Sequence, residues 1–289
     1  MDYSEYTAPG VICREDSLVT TDGVTLTIID FIPPGDAPDR PIVVFVAGLI
    51  SLITGWRDVL KEITPHYRTL YIETREKKSA GMPARNGIEF SVSRMTRDLD
   101  ELLRDKVPED RPLCFVGSSL GSTIILDYLS QHLRESGTAI LIAPNYEFRF
   151  PPWFILMLRW FPPLFYVPVK YILKWYLRNF RLDRRKEPEQ VRKYEGTIDA
   201  AEPTRLKASA LVLKDYTLGD KLRDVNAPVI IVGARTDALH GIPEMEAMVD
   251  AMPQARLAIM ESNKETHSTK AGLLIVEEIR RCTEGRGNP

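Results

Sequence analysis

The chain has 289 residues, 44% of them hydrophobic and 27% charged, a composition that supports a full buried core and does not favour disorder. Its formal net charge of −2 gives no support for a nucleic-acid partner, because neutralising phosphates requires a basic surface. Its three cysteines have no C-x-x-C spacing, so the sequence favours neither a disulfide framework nor a zinc site.

The first eight residues contain Asp2 and Glu5 and have no apolar run. A secretory signal peptide has basic residues followed by an apolar segment, so the sequence predicts none here. We therefore expect a reducing, cytoplasmic location.

Strand and helix patterns alternate along the chain. The predicted strands cover 24–31, 41–46, 68–72, 113–116, 139–142, 229–232 and 255–260, the first of them as the second arm of a hairpin. The predicted helices cover 53–63, 91–105, 120–134, 243–251 and 268–281. This alternation predicts an α/β fold with a mostly parallel sheet covered by helices on both faces.

A G-x-S-x-G motif, Gly117-Ser118-Ser119-Leu120-Gly121, lies where predicted strand 113–116 turns into a helix. A sharp strand-to-helix turn exposes the serine hydroxyl, and the flanking glycines allow the strand and the helix to pack closely around it. Ser119 is therefore the candidate nucleophile.

The order of elements, with this motif after the third parallel strand, resembles the α/β-hydrolase family, in particular its esterase and monoacylglycerol-lipase-type members. The resemblance covers nearly the whole chain. It implies a mostly parallel central sheet flanked by helices, with an inserted helical cap. It also implies a catalytic triad of Ser119, Asp237 after strand 229–232, and His267 before the last helix.

The four histidines are the available bases for a serine nucleophile. His66 precedes an early strand and His132 lies far along a helix, so we expect both on the surface. His240 shares a short loop with Asp237, which we expect to be too short to carry it to the serine. His267, in a strand-to-helix loop, is the predicted base.

The remaining parts of the predicted site are an acid and an oxyanion hole. Glu147 is the alternative to Asp237 as the acid. The backbone N–H groups of Leu49 and Leu120 are the expected oxyanion donors. The sequence differs from the α/β-hydrolase pattern at two places near this site. Ala47 replaces the family's usual histidine, and residues 73–79 replace the family's glycine-rich turn. No metal or organic cofactor is implied.

A long insertion separates predicted strands 139–142 and 229–232. We predict a hydrolase core formed by 1–144 and 219–289, with a cap over 145–218. Residues 145–186 hold 13 of the 25 aromatic residues, and nine Lys or Arg against two acids. The cap residues predicted to bind substrate are Trp153, Phe154, Trp160, Phe161 and Phe165.

Basic residues recur within the cap at a helical spacing, namely Lys170, Lys174, Arg178 and Arg181. A basic stripe opposite aromatic residues is typical of a helix at a membrane interface, but also of a solvated face of the cap. The segment therefore predicts either peripheral contact with an anionic membrane or a cap with its own aromatic core.

Together these patterns predict a serine carboxylic-ester hydrolase that acts on apolar acyl esters through an acyl-enzyme on Ser119. Two alternatives use the same triad, an acyl thioesterase and an acyltransferase. A third, of another class, is a non-catalytic lipid-binding protein on the hydrolase fold, which the loss of the histidine before Gly48 favours.

Overall fold

The central feature of the computed structural model is a sheet of eight strands in the order β1-β2-β4-β3-β5-β6-β7-β8. The structure describes residues 2–84, 87–160, 170–172, 174–175, 195–237 and 240–285. The strands are β1 (Ile12–Val19), β2 (Thr25–Ile32), β3 (Ile42–Val46), β4 (Thr69–Glu73), β5 (Leu113–Ser118), β6 (Thr138–Ile142), β7 (Val229–Ala234) and β8 (Ala255–Met260). Strand β2 pairs antiparallel with β1 and β4, and the remaining pairs are parallel.

Helices flank this sheet. The described ones include α1 (Arg57–Ile63), α2 (Val92–Lys106), α3 (Leu120–Leu129), α4 (Pro152–Trp160), α5 (Pro203–Leu213), α6 (Ile242–Ala251) and α7 (Thr269–Gly285). Helix α1 packs on α7, and α2 packs on α3. The predicted α/β class, the N-terminal hairpin and the mostly parallel sheet are confirmed. Helix α3 ends five residues before the predicted end at 134, and His132 beyond it has φ +51°.

The central strands form the core of the sheet. Every residue of β3, β5 and β6 is buried, which is why these segments read as continuous apolar runs rather than alternating ones. Because β3 to β8 run parallel, their carboxyl ends lie at one edge. The loops that follow five of them therefore gather Leu49, Ser119, Asn145, Asp237 and His267 at that edge.

The predicted cap falls between β6 and β7. Within it the structure describes α4, helical residues at 170–172, 174–175 and 195–200, and α5, with α4 packed on α5. The division into a core and a cap over 145–218 stays a prediction. Within the described part of the chain, no helix combines the length and apolar character needed to cross a membrane.

A buried ion cluster ties the loop after β4 to helix α2. The guanidinium of Arg75, which has no exposed surface, donates to both carboxylate oxygens of Asp98 at 2.6 Å and to Asp22 at 2.7 Å. Burial raises the pKa of Asp98. Burial has the same tendency at Asp22, but hydrogen bonds from Arg75 and Thr20 outweigh it and hold the pKa of that carboxyl well below its usual range.

Removing the cation from this cluster should cost much of the stability of the fold. We expect Arg75→Leu to lower the free energy of unfolding by about 3–5 kcal/mol, because the buried carboxylate of Asp98 then keeps only Arg94 as a cationic partner and Asp22 loses its closest cation. Urea denaturation measures the change. The matched control is Arg104→Ala, which removes an exposed ion pair with Asp100 and should cost at most about 1 kcal/mol. An equal loss of unfolding free energy in the two variants would contradict the role of the Arg75 cluster in stabilising the fold.

Candidate active site

Ser119 occupies a strained turn between β5 and α3. Its backbone has φ +48° and ψ −116°, and its N–H donates to the carbonyl of Ile142 at 2.9 Å. A Cβ on Gly121 would lie 2.0 Å from the carbonyl oxygen of Val46, and one on Gly117 would lie 2.8 Å from the backbone of Ser122. Both positions therefore require glycine, as the motif predicts.

The hydroxyl of Ser119 faces a histidine that is itself held by an aspartate. Ser119 Oγ lies 3.3 Å from His240 Nε2, and His240 Nδ1 lies 3.0 Å from Asp237 Oδ2. The backbone N–H of His240 also donates to Asp237 Oδ1 at 3.1 Å. The expectation that the short loop keeps His240 from the serine is therefore wrong. Because the loop starts at the carboxyl edge of β7, close to β5, three residues are enough.

His267 lines the same cavity in a different setting. Its ring packs on that of Trp56 with centroids 4.2 Å apart, and its Nδ1 lies 2.9 Å from Thr266 Oγ1 and 3.2 Å from the carbonyl oxygen of Asn263. Among the described residues, the Ser119 hydroxyl forms hydrogen-bond contacts with Asn145 and His240, so the predicted contact with His267 is not formed. The role of His267 as the base stays a prediction.

Asn145 is a site residue that the sequence analysis missed. Its Nδ2 donates to Ser119 Oγ at 2.9 Å. Thr123, on α3, holds the backbone of Asn145 in place by donating to its carbonyl oxygen at 3.0 Å. Its position in the chain could have identified it, because Asn145 closely follows β6 at the edge where the other site residues gather.

The predicted oxyanion loop follows β3 and packs against the serine. A Cβ on Gly48 would lie 3.3 Å from the Ser119 side chain, so backbone and nucleophile are in close approach. Leu49 lines the cavity, and Ile50, with φ +49°, donates its N–H to the buried carboxylate of Glu76 at 3.2 Å. Glu76 belongs to the segment that departs from the family's glycine-rich turn. It supports this loop in a chain with Ala47 in place of the usual histidine.

The second predicted oxyanion donor is Leu120. It is the first residue of α3, and the N–H groups of a first helical turn have no partner within the helix. Helix α3 therefore supplies no partner for the N–H of Leu120, the residue that directly follows Ser119.

A cavity of about 860 Å³ opens above the serine. Its wall includes Trp153, one of the cap residues predicted to bind substrate, and four apolar residues that the sequence analysis did not single out, Phe148, Phe150, Ile198 and Leu206. Trp160 lies outside this wall and is three quarters exposed. The side chain of Phe154 and residues Phe161 and Phe165 lie outside the described residues.

Charged pairs lie at the margin of the cavity. Arg149 pairs with Glu147, and its other arm donates to Glu244 at 2.8 Å. Glu147, the alternative acid, is thus engaged by an arginine, whereas Asp237 contacts the histidine that faces the serine. This geometry supports Asp237 over Glu147 as the acid.

Known structures share this architecture. An esterase from Thermogutta terrifontis superposes with a TM-score of 0.74 at 18% identity, covering 93% of this chain and 99% of that one. An enol-lactonase from Burkholderia xenovorans gives 0.76 at 13% identity, covering 92% and 100%. An esterase from Exiguobacterium antarcticum gives 0.71 at 18% identity, covering 92% and 100%. At these identities the likeness shows the α/β-hydrolase fold.

Sequence comparison supplies the family. A search against curated proteins finds no significant match. The family model of the serine aminopeptidases S33 matches residues 78–269, which include Ser119, Asp237, His240 and His267. The match spans well over half of the chain. The protein therefore belongs to the serine aminopeptidase S33 family of α/β-hydrolases.

Proposed function

We propose that the protein is a serine hydrolase of carboxylic esters with apolar acyl groups, working through an acyl-enzyme on Ser119. The observation that carries the proposal is the chain of contacts from the Ser119 hydroxyl to His240 and from His240 to Asp237, at 3.3 and 3.0 Å. A serine hydroxyl is a weak nucleophile until a base removes its proton, and imidazole can take that proton and return it.

In the proposed mechanism the carboxylate of Asp237 accepts a hydrogen bond from the Nδ1–H group of His240, which leaves Nε2 unprotonated and able to accept a hydrogen bond from Ser119. As Ser119 Oγ attacks the acyl carbonyl carbon, its proton passes to Nε2. The imidazolium then protonates the alcohol that leaves. Water attacks the acyl-enzyme, gives its proton to the same nitrogen, and the acid is released as Ser119 recovers its proton.

Negative charge develops on the carbonyl oxygen in both steps. We propose that the N–H groups of Leu49 and Leu120 stabilise it, because backbone donors held by a tight loop and a helix start need no reorganisation. The close approach of Gly48 to Ser119 and the hydrogen bond from Ile50 to Glu76 support the placement of this loop.

The cavity supports an apolar acyl group. Its volume of about 860 Å³ lies within the range of ligand pockets, and aromatic and aliphatic side chains from 148–153, Ile198 and Leu206 face it. The thioesterase and acyltransferase alternatives use the same residues and differ in the leaving group or in the acceptor.

The choice between the two histidines of the cavity is testable by paired substitutions. We expect His240→Ala and Asp237→Asn to lower kcat by about a thousandfold or more, because each breaks the path of the serine proton. His267→Ala should retain much more activity. Steady-state hydrolysis of p-nitrophenyl butyrate measures all three.

His66→Ala, at an exposed position, is the matched control and should behave as wild type. The opposite result would be a loss of kcat by about a thousandfold in His267→Ala with a small loss in His240→Ala. In that case the base is His267, as the family resemblance implies, and the contact of His240 with Ser119 forms only in the resting enzyme.

The length of the acyl chain should control specificity. We expect kcat/KM for p-nitrophenyl esters to rise from acetate to octanoate by up to about fourfold per methylene, the equivalent of ~0.8 kcal/mol of buried surface. Trp153→Ala should reduce this gain, since Trp153 lines the cavity. Trp160→Ala, on the same helix but outside the cavity wall, is the control. A preference for acetate would contradict the apolar acyl pocket.

We also propose peripheral contact with an anionic membrane through the cap. Trp160, Tyr171, Ile172 and Trp175 are exposed large apolar side chains near the basic residues of this segment. Lys170 and Lys174 both donate to Asp199, at 3.1 and 2.6 Å, so part of their charge is already compensated. Arg178 and Arg181, the other predicted contacts, lie outside the described residues.

Asp199 makes this second proposal testable in both directions. Lys170→Glu with Lys174→Glu should weaken co-sedimentation with phosphatidylserine vesicles, by roughly 1 kcal/mol for each lysine charge removed. Asp199→Asn should strengthen it, because both lysines lose their internal partner. High salt should weaken all binding. Sedimentation that none of these changes affects would contradict the proposal.

A further inference from the structure

The amide of Asn145 makes a direct contact with the reacting oxygen that the mechanism above leaves unused. Ser119 Oγ has one proton and accepts a hydrogen bond from Asn145 Nδ2 at 2.9 Å, while it faces His240 Nε2 at 3.3 Å. The proton of the serine is therefore directed to the histidine, and the amide donor occupies a lone pair of the oxygen.

The backbone that carries this amide is held by its surroundings. Thr123 donates to the carbonyl oxygens of both Asn145 and Ser119, at 3.0 and 3.3 Å, and so links the two residues through helix α3. The backbone of Ala143, two residues earlier, has φ +47° and donates to the carbonyl of Val232 on β7. The backbone that carries the donor is thus held by β7 and by helix α3.

We propose that Asn145 is a catalytic residue whose main effect is on deacylation. This inference rests on the proposed acyl-enzyme at Ser119. In the free enzyme the hydrogen bond to Oγ already exists, so it contributes little to lowering the barrier of acylation, since only interactions that strengthen in the transition state accelerate a step. In the acyl-enzyme Oγ is the alkoxy oxygen of an ester, which is a weak acceptor.

The charge on Ser119 Oγ changes most during deacylation. After water has added to the acyl carbonyl and the histidine holds its proton, the C–Oγ bond breaks and its electron pair moves to Oγ. Oγ then takes the proton from the imidazolium, and the carboxylic acid leaves. Negative charge grows on Oγ during the break, so the Asn145 hydrogen bond strengthens at the transition state and stabilises the leaving oxygen.

Rapid-mixing kinetics with p-nitrophenyl butyrate separates the two steps. We expect Asn145→Ala to lower the deacylation rate constant by about tenfold to a hundredfold, as for the loss of one transition-state donor, while acylation changes by less than about threefold. The Asn145→Ala variant should release a burst of p-nitrophenol close to one molecule per enzyme. Mass spectrometry should then show butyryl-Ser119 that decays slowly after excess substrate is removed.

Two further variants separate the effect of the hydrogen-bond donor from the effect of side-chain volume. Asn145→Leu keeps the volume without a donor, and Asn145→Asp keeps the shape but offers acceptors, so both should slow deacylation. The rate of fluorophosphonate labelling at Ser119 reports whether the nucleophile and the fold remain intact in each variant. An unchanged deacylation rate, or acylation and deacylation that fall together, would overturn the role of Asn145.

The wild-type enzyme distinguishes failure of this inference from failure of the proposed function. If the wild-type protein forms butyryl-Ser119 and turns over, the acyl-enzyme mechanism stands whatever the Asn145 variants do. If the wild-type protein does not hydrolyse the ester and neither it nor an Asn145 variant forms butyryl-Ser119, the proposed function itself is wrong, and with it the inference that rests on it.

Discussion

The backbone of Ser119 is the constraint on which the site depends. A serine with φ +48° and ψ −116° lies outside the conformations that such a residue ordinarily adopts, and it persists only because the surrounding packing holds it there. Gly117 and Gly121 allow that packing, since a Cβ at either position would overlap backbone atoms of α3 or β3. The same turn joins the carboxyl end of β5 to the start of α3.

Around this turn, the sheet brings together residues that are far apart in the chain. Because β3, β5, β6 and β7 are consecutive parallel strands of the sheet, the loops after them reach the serine from different sides. Asn145 approaches after β6, and Asp237 with His240 after β7. The serine hydroxyl consequently has a donor on one side and an imidazole on the other. Buried groups, above all Arg75 and Glu76, stabilise the loop after β4 and contact the loop after β3.

Much of this could be predicted from the sequence, because the strands are apolar runs and the G-x-S-x-G spacing follows from steric limits that leave no alternative to glycine. The contact between His240 and Ser119 could not. Chain distance suggested that His240 was too tightly held beside Asp237, but the direction of a short loop depends on tertiary packing at the sheet edge. Asn145 carries no motif. The aromatic side chains at 148 and 150 face the cavity because of the path of the chain after β6, which composition does not reveal.

The central claim is that Ser119 is the nucleophile, and site-directed labelling tests it most directly. A fluorophosphonate probe added to the purified protein, followed by peptide mapping, should modify Ser119 alone, and Ser119→Ala should lose both labelling and esterase activity while its thermal unfolding stays close to that of the wild type. Ser118→Ala should still be labelled. Labelling that persists in Ser119→Ala, or esterase activity that survives it, would contradict the account.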